Sequence, residues 1–192
     1  IGPHAAVFER LSEMLRSLIA AALLFASPAM AQAWTGDEEA SSVGCVTQAF
    51  GGEVEGQFEN WTATITLDPA DLTGASIHAE ITTASGTTGS SQIDESMLSE
   101  EGLAPETHTL ASFASSDIRA VNSGYEAHGT LDIRGVEQPL VLTFTLAIDG
   151  DNAVADGEFL VARTEFGVGN EGWGDTAADV RVEVHVEASH TN

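Results

Sequence analysis

The chain has 192 residues, which is enough for one well-packed domain. It carries 6 basic residues, all of them arginine, against 30 acidic ones, for a formal net charge of −24. A surface of this sign repels the phosphates of nucleic acids and the headgroups of anionic lipids, which excludes proteins that bind either one through charge. Cys45 is the single cysteine, so an intrachain disulfide and a cysteine metal cluster are excluded and the fold must depend on an apolar interior.

The first 33 residues predict an export signal. A short basic start at 14–16 is followed by an apolar run at 18–26 and by Ala-Met-Ala at 29–31, which is typical of a cleavage site. The apolar run is shorter than the roughly 20 residues that a membrane-spanning helix needs. Cleavage after Ala31 is predicted, and Ala-Gln-Ala at 31–33 is a second candidate. We expect upstream sequence at 1–13, a signal peptide at 14–33, and a periplasmic domain without a membrane span at 34–192.

Alternation of apolar and polar residues predicts strands along most of the remaining chain. The clearest short case is 60–67, where Trp61, Ala63, Ile65 and Leu67 alternate with polar residues. Further strands are predicted at 41–50, 53–58, 75–82, 111–118 and 179–187, and through Phe159 and Val161.

The longest alternating run, 125–149, predicts a hairpin with one apolar face. Ala127, Gly129 and Leu131 lie on this face, and Gly135 to Pro139 interrupts the pattern and is predicted to form the turn. In total about eight strands are predicted, with turn signals between them and no βαβ spacing. This pattern indicates an all-β fold, either an antiparallel barrel or a sandwich.

One segment, 83–105, is rich in small polar and acidic residues and does not alternate. A short helix is predicted from Asp94 to Glu101, with Ile93, Met97 and Leu98 along one side. We expect this helix to cover one end of the sheet structure.

The sequence contains no pattern typical of a catalytic or metal site. The G-x-G-x-x-G string at 167–172 is not followed by a helix start, and the acidic turn at 149–160 lacks the glycine and the glutamate of a calcium loop. The histidines after residue 33 have no paired spacing for zinc. We therefore expect no enzyme activity, no metal and no cofactor.

Arg163 is a charged residue whose position in the alternating pattern is on the inward face of its strand, so we consider it separately. It shares its parity with Phe159 and Val161, which directs the guanidinium toward the interior. A buried arginine needs partners. Two interpretations stay open: a structural ion pair with an acidic residue, or an anchor for a polar or phosphorylated head group.

Several stretches together resemble the YceI-like family of exported, lipocalin-like polyisoprenoid-binding proteins. They are 42–45, 54–58, 65–69, 129–136, 163–169 and 180–188. The resemblance implies an extended eight-stranded antiparallel barrel with a short helix near one end, and a polyisoprenoid or quinone held inside it. It also implies a b-type cytochrome as a partner, because some relatives are joined to one. Cys45 departs from the family pattern, which has an inward phenylalanine there.

Inward parity and the resemblance together assign a ligand site in the barrel interior. The predicted apolar contacts are Cys45, Val54, Phe58, Trp61, Ile65, Ile77, Phe113, Leu131, Ile133, Phe144, Phe159, Val161 and Phe166. Arg163 is the candidate head-group contact. We expect the small residues Ala127 and Gly129 to leave room for a lipid chain, so that Gly129→Leu blocks it in a folded barrel. The alternative function is an acidic interaction module that docks on a redox or membrane partner, with a filled core and no ligand.

Overall fold

The structure is a computed structural model that describes residues 33–169 and 173–190. Apart from Ala33, the predicted signal peptide lies outside these residues, as does the segment 1–13. The described strands are β1 Ala33–Gly36, β2 Ser42–Ala49, β3 Gly52–Phe58, β4 Trp61–Thr66, β5 Ser76–Thr82, β6 Gly86–Thr87, β7 Leu110–Val121, β8 Gly124–Ile133, β9 Val136–Asp149, β10 Asn152–Ala162 and β11 Asp179–His190. A helix, α1, spans Ser91–Met97, and 3₁₀ turns span Thr83–Ser85 and Arg163–Phe166. No helix in the described part of the chain is long and apolar enough to cross a bilayer.

The strands form a closed antiparallel barrel of eight walls, as expected. The short strand β1 closes it, because it pairs with β4 on one side and with β11 on the other. The walls are extended at one end, where β2 continues along β11 and pairs with β3, and β3 pairs with β6. Some walls of the barrel therefore contain two strands that are separate in the sequence. For this reason eleven strands form only eight walls.

The helix begins three residues earlier than predicted and ends four residues earlier, at Ser91–Met97 instead of Asp94 to Glu101. The Asp94 carboxylate accepts hydrogen bonds from the Thr87 hydroxyl (2.9 Å) and from the backbone N–H and hydroxyl of Thr88 (both 2.7 Å). These bonds hold Asp94 in the first turn, where a negative charge also suits the helix dipole. The helix ends before Gly102, which packs against the Met97 carbonyl group so closely that a Cβ would clash there.

The turn of the long hairpin is shorter than predicted. Ile133 pairs with Val136, so Arg134 and Gly135 alone make the turn, with φ of 56° and 72°. Two positive φ values are typical of a type I′ turn, which suits the twist of antiparallel strands. Residues 136–139, predicted as turn, belong to β9, and the polar Gln138 interrupts the apolar face there and disguised the strand in the sequence.

A bulge in β7 lets Phe113 and Ile118 both face the core, although alternation along a regular strand would put them on opposite faces. Phe113 and Ile118 are both 6% exposed, and the register with β8 shifts between Ser115 and Asp117. The extra residue turns Ile118 inward although it is five positions after Phe113. The buried Ser115 hydroxyl donates a hydrogen bond to the His128 carbonyl at 2.8 Å, so its polar group is satisfied.

Candidate ligand-binding site

The closed part of the barrel encloses a cavity of about 140 Å³, which we call the narrow chamber. The described residues that line it are all apolar. Seven of the predicted contacts are among them: Trp61, Ile65, Ile77, Phe113, Leu131, Phe144 and Phe159. The indole N–H groups of Trp34 and Trp61 are the only polar side-chain groups among the described residues of this lining, and that of Trp34 donates to the Leu67 carbonyl, so the lining suits a hydrocarbon chain.

The extended part of the barrel holds a larger cavity of about 830 Å³, the wide chamber. It lies between the β2–β3 hairpin, α1 and the loop 173–176. Its volume is within the range of about 300 to 1,000 Å³ that is usual for small-molecule pockets. Six predicted residues line it: Cys45, Val54, Phe58, Ile133, Val161 and Arg163. Val182 lines both cavities, so the two chambers adjoin at β11.

The predicted path past Ala127 and Gly129 is wrong. Ala127 is fully buried in the core, and neither residue lines a chamber. A Cβ built on Gly129 would lie 2.7 Å from the Phe113 ring and would also clash with the Ala114 carbonyl oxygen. The space beside Gly129 is therefore filled by an aromatic ring, so Gly129→Leu would disturb the fold before it blocked any ligand.

Other small residues do leave space, and one predicted contact lies elsewhere. Ala63 and Ala79 face each other on β4 and β5 and both line the narrow chamber. Phe166 is 4% exposed and packs in the hydrophobic core, outside the linings of both chambers.

Arg163 is buried, and its partners are backbone carbonyl groups. Its Nε donates to Ala177 (2.8 Å), Nη1 to Val168 (2.8 Å) and Nη2 to Thr176 (2.9 Å). The guanidinium also lies 5.4 Å from the ring centre of Trp173, within the range of a cation–π contact. The structural ion pair considered from the sequence is not among the salt bridges of the described residues. Arg163 instead fixes the loop that forms one side of the wide chamber.

A second arginine holds the same end of the barrel. Arg134 lies in the β8–β9 turn, and its guanidinium donates to the carbonyls of Glu100 (3.1 Å), Glu101 (3.2 Å), Gly102 (2.7 Å) and Gly167 (2.5 Å). It thereby joins the segment after α1 to the segment after Arg163. The wide chamber is thus bounded by loops that two arginines tie to the barrel.

Cys45 lies on β2, and its thiol faces the wide chamber beside Gly56. Burial raises the pKa of this thiol above its usual value, and a hydrogen bond with Gly56 opposes that effect only in part. A neutral thiol behaves as a small apolar group. Cys45 therefore adds a small apolar group to the wall of the wide chamber.

The titratable groups with ion pairs lie on the outer face. His185 on β11 contacts Asp156 on β10 at 2.7 Å and Glu187 at 3.6 Å, and its hydrogen bond with Asp156 is the main reason why its pKa is raised. Among the described residues, no three histidine, cysteine or acidic side chains converge in a way that could hold a metal ion.

Sequence reasoning missed several lining residues. Trp34 lines the narrow chamber and donates from its indole N–H to the Leu67 carbonyl at 3.0 Å, but β1 is too short to show an alternating pattern. Phe50, at the end of a predicted strand, lines the wide chamber. Val182 and Val184 lie on an apolar face that was visible in the sequence, so parity alone would have found them.

Comparison with known proteins found relatives across most of the chain. The model of the YceI-like domain matches residues 34–188. The crystal structure of BcnA from Burkholderia cenocepacia is 27% identical, with a TM-score of 0.76, and the match covers 80% of this chain and 99% of that one. No curated protein sequence matched.

Two other solved structures share the fold at lower identity. The Campylobacter jejuni YceI protein is 20% identical, with a TM-score of 0.62 and coverage of 73% of this chain and 87% of that one. A polyisoprenoid-binding domain from Saccharophagus degradans, implicated in plant cell wall breakdown, is 13% identical, with a TM-score of 0.63 and coverage of 82% and 98%.

Proposed function

The chain belongs to the YceI-like family, and we propose that its barrel binds one long-chain apolar lipid, a polyisoprenoid or an isoprenoid quinone, without catalysis. The observation that carries this proposal is the narrow chamber with its wholly apolar lining, which adjoins the wide chamber at Val182. The Saccharophagus degradans domain is described as polyisoprenoid-binding and has the same fold, which supports this ligand class.

The free energy of burial favours a long chain. Each CH₂ group removed from water contributes about 0.8 kcal/mol, so a five-carbon isoprene unit contributes on the order of 3 to 4 kcal/mol. Association costs about 4 to 15 kcal/mol before any net affinity results. Several units are therefore needed, and affinity should increase with chain length more than with head-group chemistry.

The polar groups of the wide chamber suggest how the ligand is oriented. Thr47, Gln92 and Thr176 line this chamber, together with the charged residues Arg163 and Asp175. A polar head group is more stable beside these residues than in the narrow chamber. We propose that the tail enters the narrow chamber and that the head group lies in the wide chamber, near Arg163.

The periplasm is the compartment that we propose, from the predicted signal peptide at 14–33. Sequencing the N-terminus of protein recovered from a periplasmic fraction tests this, with Gln32 as the expected first residue. A b-type cytochrome partner stays a prediction from the family resemblance, and co-purification of haem with the chain would test it.

The acidic-module alternative requires a filled core. A wide chamber of about 830 Å³ does not match that requirement, whereas the charge of −24 is compatible with either function. The direct experiment is organic extraction of the purified protein followed by mass spectrometry, together with titration by geranylgeraniol. Recovery of a long-chain lipid and saturable binding are expected. Repeated preparations that contain no lipid and bind no geranylgeraniol would exclude the proposed function.

A further inference from the structure

One side chain at the rim of the wide chamber is apolar and yet mostly in solvent. Phe50 is 72% exposed, more than any other large hydrophobic residue among those described, and it also lines the chamber. Leu160, on the outer wall, is the next most exposed at 65% but lines neither chamber. Phe50 is therefore both largely exposed to solvent and part of the lining of a cavity.

The backbone at Phe50 is also unfavourable for this residue. Ala49 pairs with Gly52, so Phe50 and Gly51 form a two-residue turn, with φ of 54° and 77°. Asparagine, aspartate and glycine are the residues that favour this type of turn. A phenylalanine in the left-handed region is an outlier, and such outliers cluster at functional sites.

The β8–β9 turn shows what offsets an unfavourable backbone elsewhere in this barrel. Arg134 has nearly the same φ, 56°, in the same position of the same kind of turn. Its guanidinium makes four hydrogen bonds to loop carbonyls, so the conformation is fixed by contacts within the fold. The ring of Phe50, in contrast, is apolar and is exposed mainly to solvent. A ligand in the wide chamber would give this ring an apolar surface to pack against.

We propose that Phe50 is a retention residue, which lies against the outer end of the bound lipid and slows its release. This inference rests on the proposed lipid-binding function and adds the position where the ligand leaves, between the β2–β3 turn and α1. The ring covers the apolar surface of the ligand next to its head group, and the ligand covers the ring. Removing the ring exposes both surfaces, so release becomes faster while the barrel itself loses no packing.

The test measures release of decylubiquinone from the purified full chain. All three tryptophans, Trp34, Trp61 and Trp173, line the chambers, so quenching of their fluorescence by the quinone reports occupancy. Excess neutral phosphatidylcholine vesicles trap the released quinone in a stopped-flow experiment. The variants are Phe50→Asn, which removes the ring and suits the turn, Phe50→Leu, which keeps an apolar group, and the control Leu160→Thr.

We expect Phe50→Asn to release the quinone about tenfold faster, which corresponds to about 1.4 kcal/mol. Phe50→Leu should remain close to the wild type, and Leu160→Thr should equal it. The urea midpoint of ligand-free Phe50→Asn should be unchanged or higher, because asparagine tolerates the left-handed conformation. A purely structural role of the ring predicts the opposite, a lower midpoint.

Three results would overturn the inference. One is release from Phe50→Asn at the wild-type rate, and another is a lower midpoint for that variant without ligand. The third is a variant that loses only its association with the vesicles, which would make Phe50 a membrane contact. If the wild type binds neither decylubiquinone nor geranylgeraniol, the proposed function itself fails, and this inference fails with it.

Discussion

A larger side chain on the wall of the narrow chamber should weaken ligand binding without destabilising the fold. Ala63 on β4 lines this chamber opposite Ala79, and Ala63→Leu adds three carbon groups to a cavity of about 140 Å³. At about 0.8 kcal/mol for each group, the added burial is about 2.4 kcal/mol. These groups occupy space that a lipid tail would use, so the tail loses a similar amount. At about 1.4 kcal/mol for each factor of ten, binding becomes about 50-fold weaker.

The assay is titration with geranylgeraniol followed by intrinsic tryptophan fluorescence, with urea unfolding of the ligand-free protein beside it. Thr64→Leu is the matched control, because Thr64 is the next residue on β4 and is exposed on the outer face. We expect Ala63→Leu to weaken binding without lowering the free energy of unfolding. Equal affinities of the two variants would refute the proposal that the tail occupies the narrow chamber.

Three further predictions concern the scaffold. Arg163→Met leaves three carbonyl groups without their donor and should lower the free energy of urea unfolding by about 3 kcal/mol or more. The control Arg119→Met removes only a surface ion pair and should leave the free energy of unfolding nearly unchanged. Gly129→Ala should lower the thermal midpoint by several degrees because its Cβ meets an aromatic ring at 2.7 Å, whereas Gly36→Ala, with its nearest atom at 4.0 Å, should not. The raised pKa of His185 implies stabilisation that is complete below the ordinary histidine pKa of about 6.5 and is lost as the pH rises through the folded-state pKa. His185→Gln should remove this part of the pH dependence of unfolding, and an unchanged pH profile would contradict it.

The strands could be predicted well because each of them buries one face. Period-two alternation is the direct result of that arrangement, and it placed Trp61, Ile65 and Phe144 in the interior where the structure has them. The helix could not be placed as well. Its position depends on hydrogen bonds to Asp94 from residues outside the helix, and a helix of seven residues has too few turns for a periodic signal.

The site could be predicted only in part, because parity describes direction and not distance. Gly129 has the predicted direction, but the Phe113 ring already fills the space beside it. Parity also predicted that Arg163 is buried, and it is, yet the partners are carbonyls of a loop that carries no sequence pattern. Phe50 was overlooked because the feature that distinguishes it is an unfavourable turn conformation, which no pattern of hydrophobicity records.

The short strand β1 has a consequence for how this barrel forms. It closes the ring by pairing Trp34 with His190, which lie at opposite ends of the described chain. Contacts between residues so far apart in sequence are slow to form, because the whole intervening chain must first be brought together. β11 is the last described strand of the chain, so the narrow chamber is complete only when β1 and β11, at the two ends of the described residues, have paired. Until β1 has paired with both β4 and β11, the ring has an open edge and its apolar inner face is in contact with water.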